Sequence, residues 1–229
     1  MTMILTIVDH ASNHVPDDID LGLAPELMTE HMAWDIGAAA LADALGYPSI
    51  KAEVSRLVID LNREADAHGL VPLTSDGHVI PGNQPEVRDE RIARFHAPYH
   101  RALAGVIRET RPTLLASIHS FTPWLEQSGA HRPWEIGILS NRDRRAANLA
   151  VALLQAAGLP TGDNEPYSGR VLNATLNRHG EATGIPSIAI EVRNDLIGDD
   201  GGVERWADIL APILETIRNS LARDAPLAT

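Results

Sequence analysis

Two histidines in this sequence follow short apolar runs and have the chemistry of metal ligands. His10 comes shortly after the run at 3–8, and His119 directly follows the run at 114–118. Such runs are typical of buried strands, and open α/β sheets bind their ligands at the carboxyl ends of strands. Because the chain contains no cysteine, a metal ion would depend on histidine and carboxylate side chains. The sequence therefore indicates a metal centre at one edge of a sheet.

A catalytic zinc ion usually takes three protein ligands, so His10 and His119 need a third partner. The other candidates are Asp9, Asn13, the His31–Asp35 pair, which lies four residues apart on one face of the first predicted helix, and, in place of His10, His14. We favour His10 over its neighbour because its position at the end of the predicted strand is better fixed. Asp35 is favoured as the third ligand, since a charged residue beside Trp34 is unusual inside a predicted alanine-rich helix. We predict one zinc ion bound by His10, Asp35 and His119.

Arg56, Asn62 and Arg63 surround a further apolar run and offer two guanidinium groups and an amide. Guanidinium groups bind carboxylates in a bidentate manner and can also polarise a carbonyl oxygen. Asp60 lies among these residues, so an ion pair of Asp60 with Arg56 or Arg63 is the structural alternative. Asp60 can neutralise only part of this positive charge, which favours a role in binding an anionic substrate.

Glu191 follows the apolar run at 187–190 and is the candidate general base. A carboxylate at a desolvated strand end can have a pKa near the working pH, because burial disfavours its charged form. Arg193 comes two residues later, so the two side chains of an extended strand face the same side. The two residues either form an ion pair or line the pocket together, and in the second case Arg193 helps to bind the substrate.

The elements that position these residues alternate between strands and helices along the chain. We predict strands at 3–8, 114–118, 135–139 and 187–190, an extended segment at 50–61, and helices at 25–45, 87–111 (interrupted by Pro98), 142–157, 172–179 and 202–222. The segment 64–87 is either an active-site flap or a mobile surface loop, and 162–169 is rich in turn residues. This alternation predicts an α/β fold, a three-layer α/β/α sandwich with a mixed, largely parallel sheet.

Composition narrows the class of protein. With 229 residues and no polar linker, the chain is expected to form one domain over 1–229. Its net charge of -12 and its single lysine, Lys51, argue against nucleic-acid and anionic-membrane partners, while small anionic substrates remain possible. No segment has the length of a membrane span or the features of a signal peptide, so we expect a cytoplasmic protein.

Seven short blocks of the sequence, taken in order, resemble the N-formylglutamate amidohydrolase family, in particular its short branch. The blocks are Asp9-His10-Ala11-Ser12-Asn13, His31-Met32-Ala33-Trp34-Asp35, Ser55-Arg56-Leu57-Val58-Ile59-Asp60-Leu61-Asn62-Arg63, Ile80-Pro81-Gly82-Asn83, Ser117-Ile118-His119-Ser120-Phe121-Thr122-Pro123, Gly162-Asp163-Asn164-Glu165-Pro166-Tyr167 and Ile190-Glu191-Val192-Arg193-Asn194-Asp195. The resemblance extends to the wider superfamily of zinc carboxypeptidases and aspartoacylases, and it implies their sandwich fold. It also implies that Arg56 polarises the scissile carbonyl.

One position departs from the wider superfamily, whose first motif pairs its histidine with a glutamate three residues later. Asn13 stands there in this chain, so the carboxylate ligand must come from elsewhere, and Asp35 is the substitute.

The resemblance implies a zinc-dependent hydrolase that cleaves N-formyl-L-glutamate to formate and L-glutamate, a reaction of histidine catabolism. Glu191 would act as base and Arg56 would stabilise the oxyanion, while Asn62, Arg63 and Arg193 would bind the substrate. A carboxypeptidase or a deacylase for longer acyl groups is the alternative with the same chemistry. The alternative of another class is a carboxylate-binding protein without turnover, which Asn13 favours and Glu191 opposes.

Overall fold

A six-stranded mixed sheet lies at the centre of the computed structural model, which describes residues 3–124 and 129–223. The strands are β1 Ile4–Val8, β2 Ser49–Lys51, β3 Thr74–Ser75, β4 His78–Val79, β5 Leu114–Phe121, β6 Ile136–Leu139, β7 Thr161–Asp163 and β8 Ser187–Arg193. The central sheet has the order β2-β1-β5-β8-β6-β7, and β3 and β4 form a separate hairpin. The first four strands in this order are parallel to one another, whereas β6 runs antiparallel to β8 and parallel to β7.

Helices cover both faces of the sheet. They are α1 Ala38–Ala44, α2 Arg88–Arg91, α3 Ala97–Thr110, α4 Arg145–Ala156, α5 Ala174–His179 and α6 Asp200–Arg223. On one face, α1, α4 and α6 pack on inward side chains such as Ile118 and Ile190. On the other face, α3 and α5 contribute Leu103 and Leu176 to a smaller core with Leu115. Because successive strand residues point to opposite faces, the apolar run of β5 serves both cores. The predicted three-layer sandwich is confirmed.

The last helix, α6, packs on the sheet through the apolar stripe that its sequence predicts. Trp206, Leu210, Leu214 and Ile217 are buried at helical spacing. None of the helices within 3–124 and 129–223 combines the length and the apolar character needed to cross a bilayer.

The helix predicted at 25–45 is wrong in its first half. Pro25–Thr29 forms a 3-10 helix, 30–37 is irregular, and the α-helix begins only at Ala38. Gly37 has a φ of 81° and lies against the Ile197 carbonyl, where any larger residue would clash. Asp35 therefore lies in a turn before α1, and its backbone N–H donates to the His10 carbonyl at 2.9 Å.

The extended segment predicted at 50–61 is a strand only as far as Lys51. Residues 52–61 form turns, and Leu57, Val58 and Ile59 are buried in a third core together with Leu70. A short apolar run shows burial but does not distinguish a strand from a buried turn. Arg56, Asp60, Asn62 and Arg63 are consequently presented by a buried coil segment and not by the end of a strand.

The segment predicted as a flap or loop at 64–87 contains the β3–β4 hairpin. Asp76 and Gly77 in its turn have φ values of 45° and 80°, as two-residue hairpin turns require. The Asp76 carboxylate lies 2.9 Å from His31 Nε2, so the hairpin is tied to the segment before α1.

Other boundaries differ from the sequence predictions for local reasons. The helix predicted at 87–111 contains a π-helical turn, Ile92–His96, just before Pro98, which has no N–H to donate into the preceding turn. Strands β5 and β8 continue to Phe121 and Arg193, and β7 begins where only turns were expected. The segment between the strands predicted at 114–118 and 135–139, which contains Pro123 and Pro133, includes 125–128, and these four residues lie outside the described part of the chain.

Candidate active site

Three ligand-type side chains converge where β1 and β5 lie side by side. The Nδ1 atoms of His10 and His119 are 3.4 Å and 2.9 Å from Asp35 Oδ2. One ligand atom from each of the three residues lies within 4.8 Å of the other two, and all three residues are buried. His10 follows β1, His119 lies within β5, and the backbone bond to His10 places Asp35 between the rings.

Hydrogen bonds on the far side of each ring orient both histidines. His10 Nε2 is 2.7 Å from Asp60 Oδ1, and His119 Nε2 is 2.9 Å from Ser117 Oγ. Asp9 lies behind Ser117 and accepts hydrogen bonds from Tyr99 and Thr175. Metal-binding histidines in proteins usually have such a partner on the second nitrogen. Two Nδ1 atoms and one carboxylate oxygen therefore form a buried donor set that fits a divalent ion such as zinc.

The charged groups around this donor set stabilise a positive charge at its centre. Burial and the neighbouring Arg56 oppose protonation of His10, yet Asp60 and Asp35 raise its pKa to about 9. Burial likewise opposes protonation of His119, but the hydrogen bond that His119 donates to Asp35 and the charge of Glu191 raise its pKa. Burial alone would raise the pKa of Asp35, but His10, His119 and Arg56 hold it below its ordinary range. A field that stabilises protons on both rings also favours a bound cation.

Glu191 lies beside this cluster on the neighbouring strand. The register of β5 and β8 pairs Glu191 directly with His119. Glu191 is only 7% exposed, and its Oε2 has no hydrogen-bond partner among the described residues. Burial, opposed by the charge of His119 and assisted by that of Asp35, raises the pKa of Glu191 to about 7. A carboxylate in this condition can both take up and release a proton near neutral pH.

The arginines of the 52–63 segment form an ionic network around Asp60. Arg56 reaches Asp35 and Asp60, each at 3.2 Å, and Arg63 Nε is 3.3 Å from Asp60 Oδ2. The ion pairs that were the structural alternative are therefore present, and both arginines still line the cavities described below. Asn62 Oδ1 accepts from the Thr175 backbone at 3.1 Å, which leaves the Nδ2 donors for another partner.

Three buried histidines, here called the support cluster, hold this segment from behind. His96 Nε2 lies 2.9 Å from the Arg63 carbonyl, and His100 Nε2 lies 3.0 Å from the Leu61 carbonyl. His100 Nδ1 in turn bonds to His179 Nε2 at 3.0 Å. The backbone that presents Asn62 and Arg63 is thus fixed by imidazoles from α3 and its preceding turn.

Two adjoining cavities lie in front of the cluster, and the inner one is lined by it. The inner cavity has a volume of about 180 Å³ and is lined by His10, Asp35, His119 and Glu191 among others. The outer cavity has a volume of about 300 Å³ and is bounded by Arg132, Trp124 and the β3–β4 hairpin. The residues that line both are His31, Arg56, Asp60, Arg63, Thr122 and Tyr167. A small molecule can therefore reach from the histidines into the outer cavity.

Some residues considered at the sequence level are not brought to the site. Arg193 lines neither cavity, and its Nε lies 2.7 Å from Asp195. The Asn13 amide donates to the Met28 carbonyl at 2.8 Å, and His14 is exposed. Asp9 lies behind the ligand cluster, where Tyr99 and Thr175 both donate to its Oδ1 and Ser117 donates to its Oδ2.

Sequence reasoning missed Arg132 as a residue of the pocket. Arg132 is only 6% exposed, its guanidinium lies over the rings of Phe121 and Tyr167, and it lines the outer cavity. An arginine in a proline-bounded loop carries no periodic signal, so the residue pattern could not have identified it. Tyr167 was available only as part of a resemblance block.

Fold and site together place the chain among α/β/α proteins with a buried, polar pocket at a sheet edge. The family model described as N-formylglutamate amidohydrolase matches residues 2–198. The chain belongs to the N-formylglutamate amidohydrolase family, as the sequence blocks predicted, and this membership supports an amidohydrolase.

Two solved structures resemble the whole fold. Gene product Atu2144 from Agrobacterium tumefaciens is 31% identical, with a TM-score of 0.90 over 96% of this chain and 92% of that one. The N-formylglutamate amidohydrolase from Ralstonia eutropha JMP134 is 20% identical, with a TM-score of 0.74 over 97% of this chain and 94% of that one. At that identity the second likeness shows the fold alone. No protein of curated function matches the chain.

Proposed function

We propose that this chain is a metal-dependent amidohydrolase that cleaves N-formyl-L-glutamate, or a close N-acyl acidic amino acid. The observation that supports this most is the convergence of His10, Asp35 and His119 on a cavity that Glu191 also lines. Family membership supports the reaction class, and the printed name of the Ralstonia relative suggests the substrate. The wider placement among zinc carboxypeptidases stays a prediction.

His10 and His119 through Nδ1, and Asp35 through an oxygen, would bind one divalent cation, for which zinc suits the donor set best. When bound, such an ion lowers the pKa of a water molecule and polarises a carbonyl oxygen. Asp60 and Ser117 orient the two rings, so their Nδ1 atoms are the ones available for binding.

Glu191 takes a proton from the water that attacks the formyl carbon. Glu191 lines the inner cavity, and its Oε2 has no hydrogen-bond partner among the described residues. Its pKa of about 7 allows it to accept the proton and then release it. The same proton passes to the nitrogen as the C–N bond breaks. The oxygen of water thus ends in formic acid, and the amino acid leaves with a neutral amine. The acid then ionises to formate, and the amine takes up that proton.

The remaining polar groups bind and orient the substrate. Arg56 lines the inner cavity and donates toward the oxyanion that forms on the attacked carbon. Arg63 and the Nδ2 group of Asn62 bind a substrate carboxylate. Arg193, which pairs with Asp195 outside the cavities, has no part in this proposal.

The test measures metal content and formate release from N-formyl-L-glutamate, with and without a chelator. We expect one bound divalent ion per chain and release that stops on chelation and returns with zinc. Glu191→Gln should lose about 10³-fold in kcat while it keeps the metal, because general-base catalysis contributes roughly 10² to 10⁴.

Glu204→Gln, at an exposed position of α6, is the matched control and should behave as wild type. Unchanged release by Glu191→Gln, or release that is insensitive to chelation, would contradict the mechanism. N-acetyl-L-glutamate and short peptides, assayed in parallel, separate the deformylase from a longer-acyl deacylase and a carboxypeptidase. A binding protein without turnover would bind N-formyl-L-glutamate and release no formate.

A further inference from the structure

Three arginines line the two cavities, and they differ in how their charge is balanced. Arg56 faces Asp35 and Asp60, and Arg63 faces Asp60. Arg132 has no carboxylate partner within 3–124 and 129–223. Its Nη1 donates at 3.0 Å to both the carbonyl and the hydroxyl of Thr122, while its buried Nε has no partner among the described residues.

A buried cation with no carboxylate beside it in the described part of the chain is costly, and a bound anion would offset that cost. Arg132 is held rigidly, because its backbone N–H bonds to the Pro123 carbonyl at 2.9 Å and its guanidinium lies over Tyr167 at 5.0 Å. Rigid arginines lose little entropy when they bind an anion, and their fork matches the two oxygens of a carboxylate. The outer cavity in front of Arg132 therefore has the features of an anion site.

We propose that Arg132 forms a second carboxylate subsite, which binds the carboxylate of the substrate that lies farther from the scissile amide. This inference rests on the proposed function, in which Arg63 and Asn62 bind the other carboxylate. Arg132 lines only the outer cavity, whereas Arg63 lines both, so the two subsites lie at different depths from Glu191. The site thereby selects N-acyl amino acids with an acidic side chain over their neutral analogues.

The first test compares N-formyl-L-glutamate with N-formyl-L-glutamine, which differ in one charge at nearly the same size. In wild type we expect a preference of about 100-fold in kcat/KM for the acidic substrate. Arg132→Gln should lose most of that preference through a higher KM for N-formyl-L-glutamate, with a change of less than about threefold for the amide. Arg132→Lys should keep part of the preference, because it keeps the charge but not the fork.

Arg144→Gln removes an arginine that pairs with the exposed Asp163, so it controls for loss of charge alone and should retain the wild-type preference. An equal loss for both substrates in the Arg132 variants would overturn the proposal, since that result indicates a structural role. If Arg132→Gln does not fold, Arg132→Lys provides the test. A preference for the acidic substrate equal to that of wild type in Arg132→Lys would contradict recognition of the carboxylate by the guanidinium fork.

A binding measurement separates this inference from the proposed function. Calorimetry with glutarate and with butyrate requires no turnover. We expect glutarate to bind wild type at least tenfold more tightly than Arg132→Gln, and butyrate to bind both proteins alike. If glutarate and butyrate bind in this way but the protein releases no formate, the proposed reaction is wrong and the carboxylate subsite is still supported. Equal glutarate binding by both proteins, or none by wild type, rejects the subsite whatever the activity.

Discussion

The chain contains two clusters of buried histidines with opposite electrostatic character. His10 and His119 at the site face carboxylates, and the pKa of His10 is raised to about 9. In the support cluster, burial and the charges of its neighbours lower the pKa of His100 to about 3. Burial opposes the charged form in both clusters, so the neighbouring groups determine the sign of the shift. The site therefore favours a cation, whereas the histidines of the support cluster stay neutral and form hydrogen bonds that hold the backbone at Leu61 and Arg63.

The largest effect should come from removing the anion that the two site histidines share. Asp35→Asn leaves both rings without the carboxylate between them, so the site resembles the support cluster more closely. We expect loss of metal binding and a fall in activity of about 10³-fold or more, because the proposed site loses one ligand and its charge together. Zinc titration of the purified protein, followed by the formate assay, measures both.

Asp43→Asn is the matched control, since Asp43 is exposed and pairs with Lys51 on the surface. It should keep full metal content. Stoichiometric zinc in Asp35→Asn would mean that the carboxylate is not a ligand and that the contrast between the clusters has another origin.

A smaller effect should follow from removing the carboxylate behind His10. Asp60→Asn keeps the size of the side chain but weakens the bond that orients the ring at 2.7 Å. Outer partners of metal ligands typically contribute 10- to 100-fold to metal affinity, and we expect a loss in this range. Competition with a fluorescent zinc chelator measures it, and Asp18→Asn, at an exposed pair with Arg94, is the control. Unchanged affinity would show that His10 is oriented by packing alone.

The support cluster should make the fold sensitive to acid. His100 is surrounded by Tyr99, His96, His179 and the charge of Arg178, and its pKa of about 3 lies below the ordinary value of 6.5. Above pH 6.5 it is neutral in both the folded and the unfolded chain. As the pH falls from 6.5 toward 3, only the unfolded chain binds the proton, so the free energy of unfolding falls. The loss from this one group is about 2 kcal/mol by pH 5.

Urea unfolding at pH 7 and pH 5 tests this expectation in wild type and His100→Gln. The variant should lose about 2 kcal/mol less than wild type between the two pH values, even if it is less stable at both. His68→Gln changes an exposed histidine and should follow the wild-type dependence. A parallel dependence in His100→Gln and wild type would show that His100 is not held neutral by its surroundings.

The sheet and its helices could be predicted because the spacing and length of their apolar runs indicate which residues are buried. Residues near strand ends, such as His10, His119 and Glu191, were placed together because parallel strands bring equivalent ends to one edge. The irregular segment at 30–37 was not predictable, since its form depends on distant contacts such as the bond from Asp35 to the His10 carbonyl. Asp35 was chosen for its chemistry, while the helix assigned to it was wrong.

The outer cavity was beyond prediction for a related reason. Arg132 reaches it only because the loop folds back so that its guanidinium meets Thr122 and lies over Phe121 and Tyr167. No local pattern encodes contacts between residues of a loop and a later turn. The same limit explains why Arg193 was wrongly expected in the pocket. Its position two residues beyond Glu191 suggested that it binds substrate, but its side chain pairs with Asp195 instead.

The ladder between β5 and β8 has a consequence for redesign of the protein. Because His119 and Glu191 are register partners, backbone hydrogen bonds set their separation, and loop exchange leaves it unchanged. The β3–β4 hairpin and the loop with Arg132, by contrast, contribute to the outer cavity without belonging to this ladder. An engineer can therefore graft new loops to alter selectivity and keep the reaction centre intact.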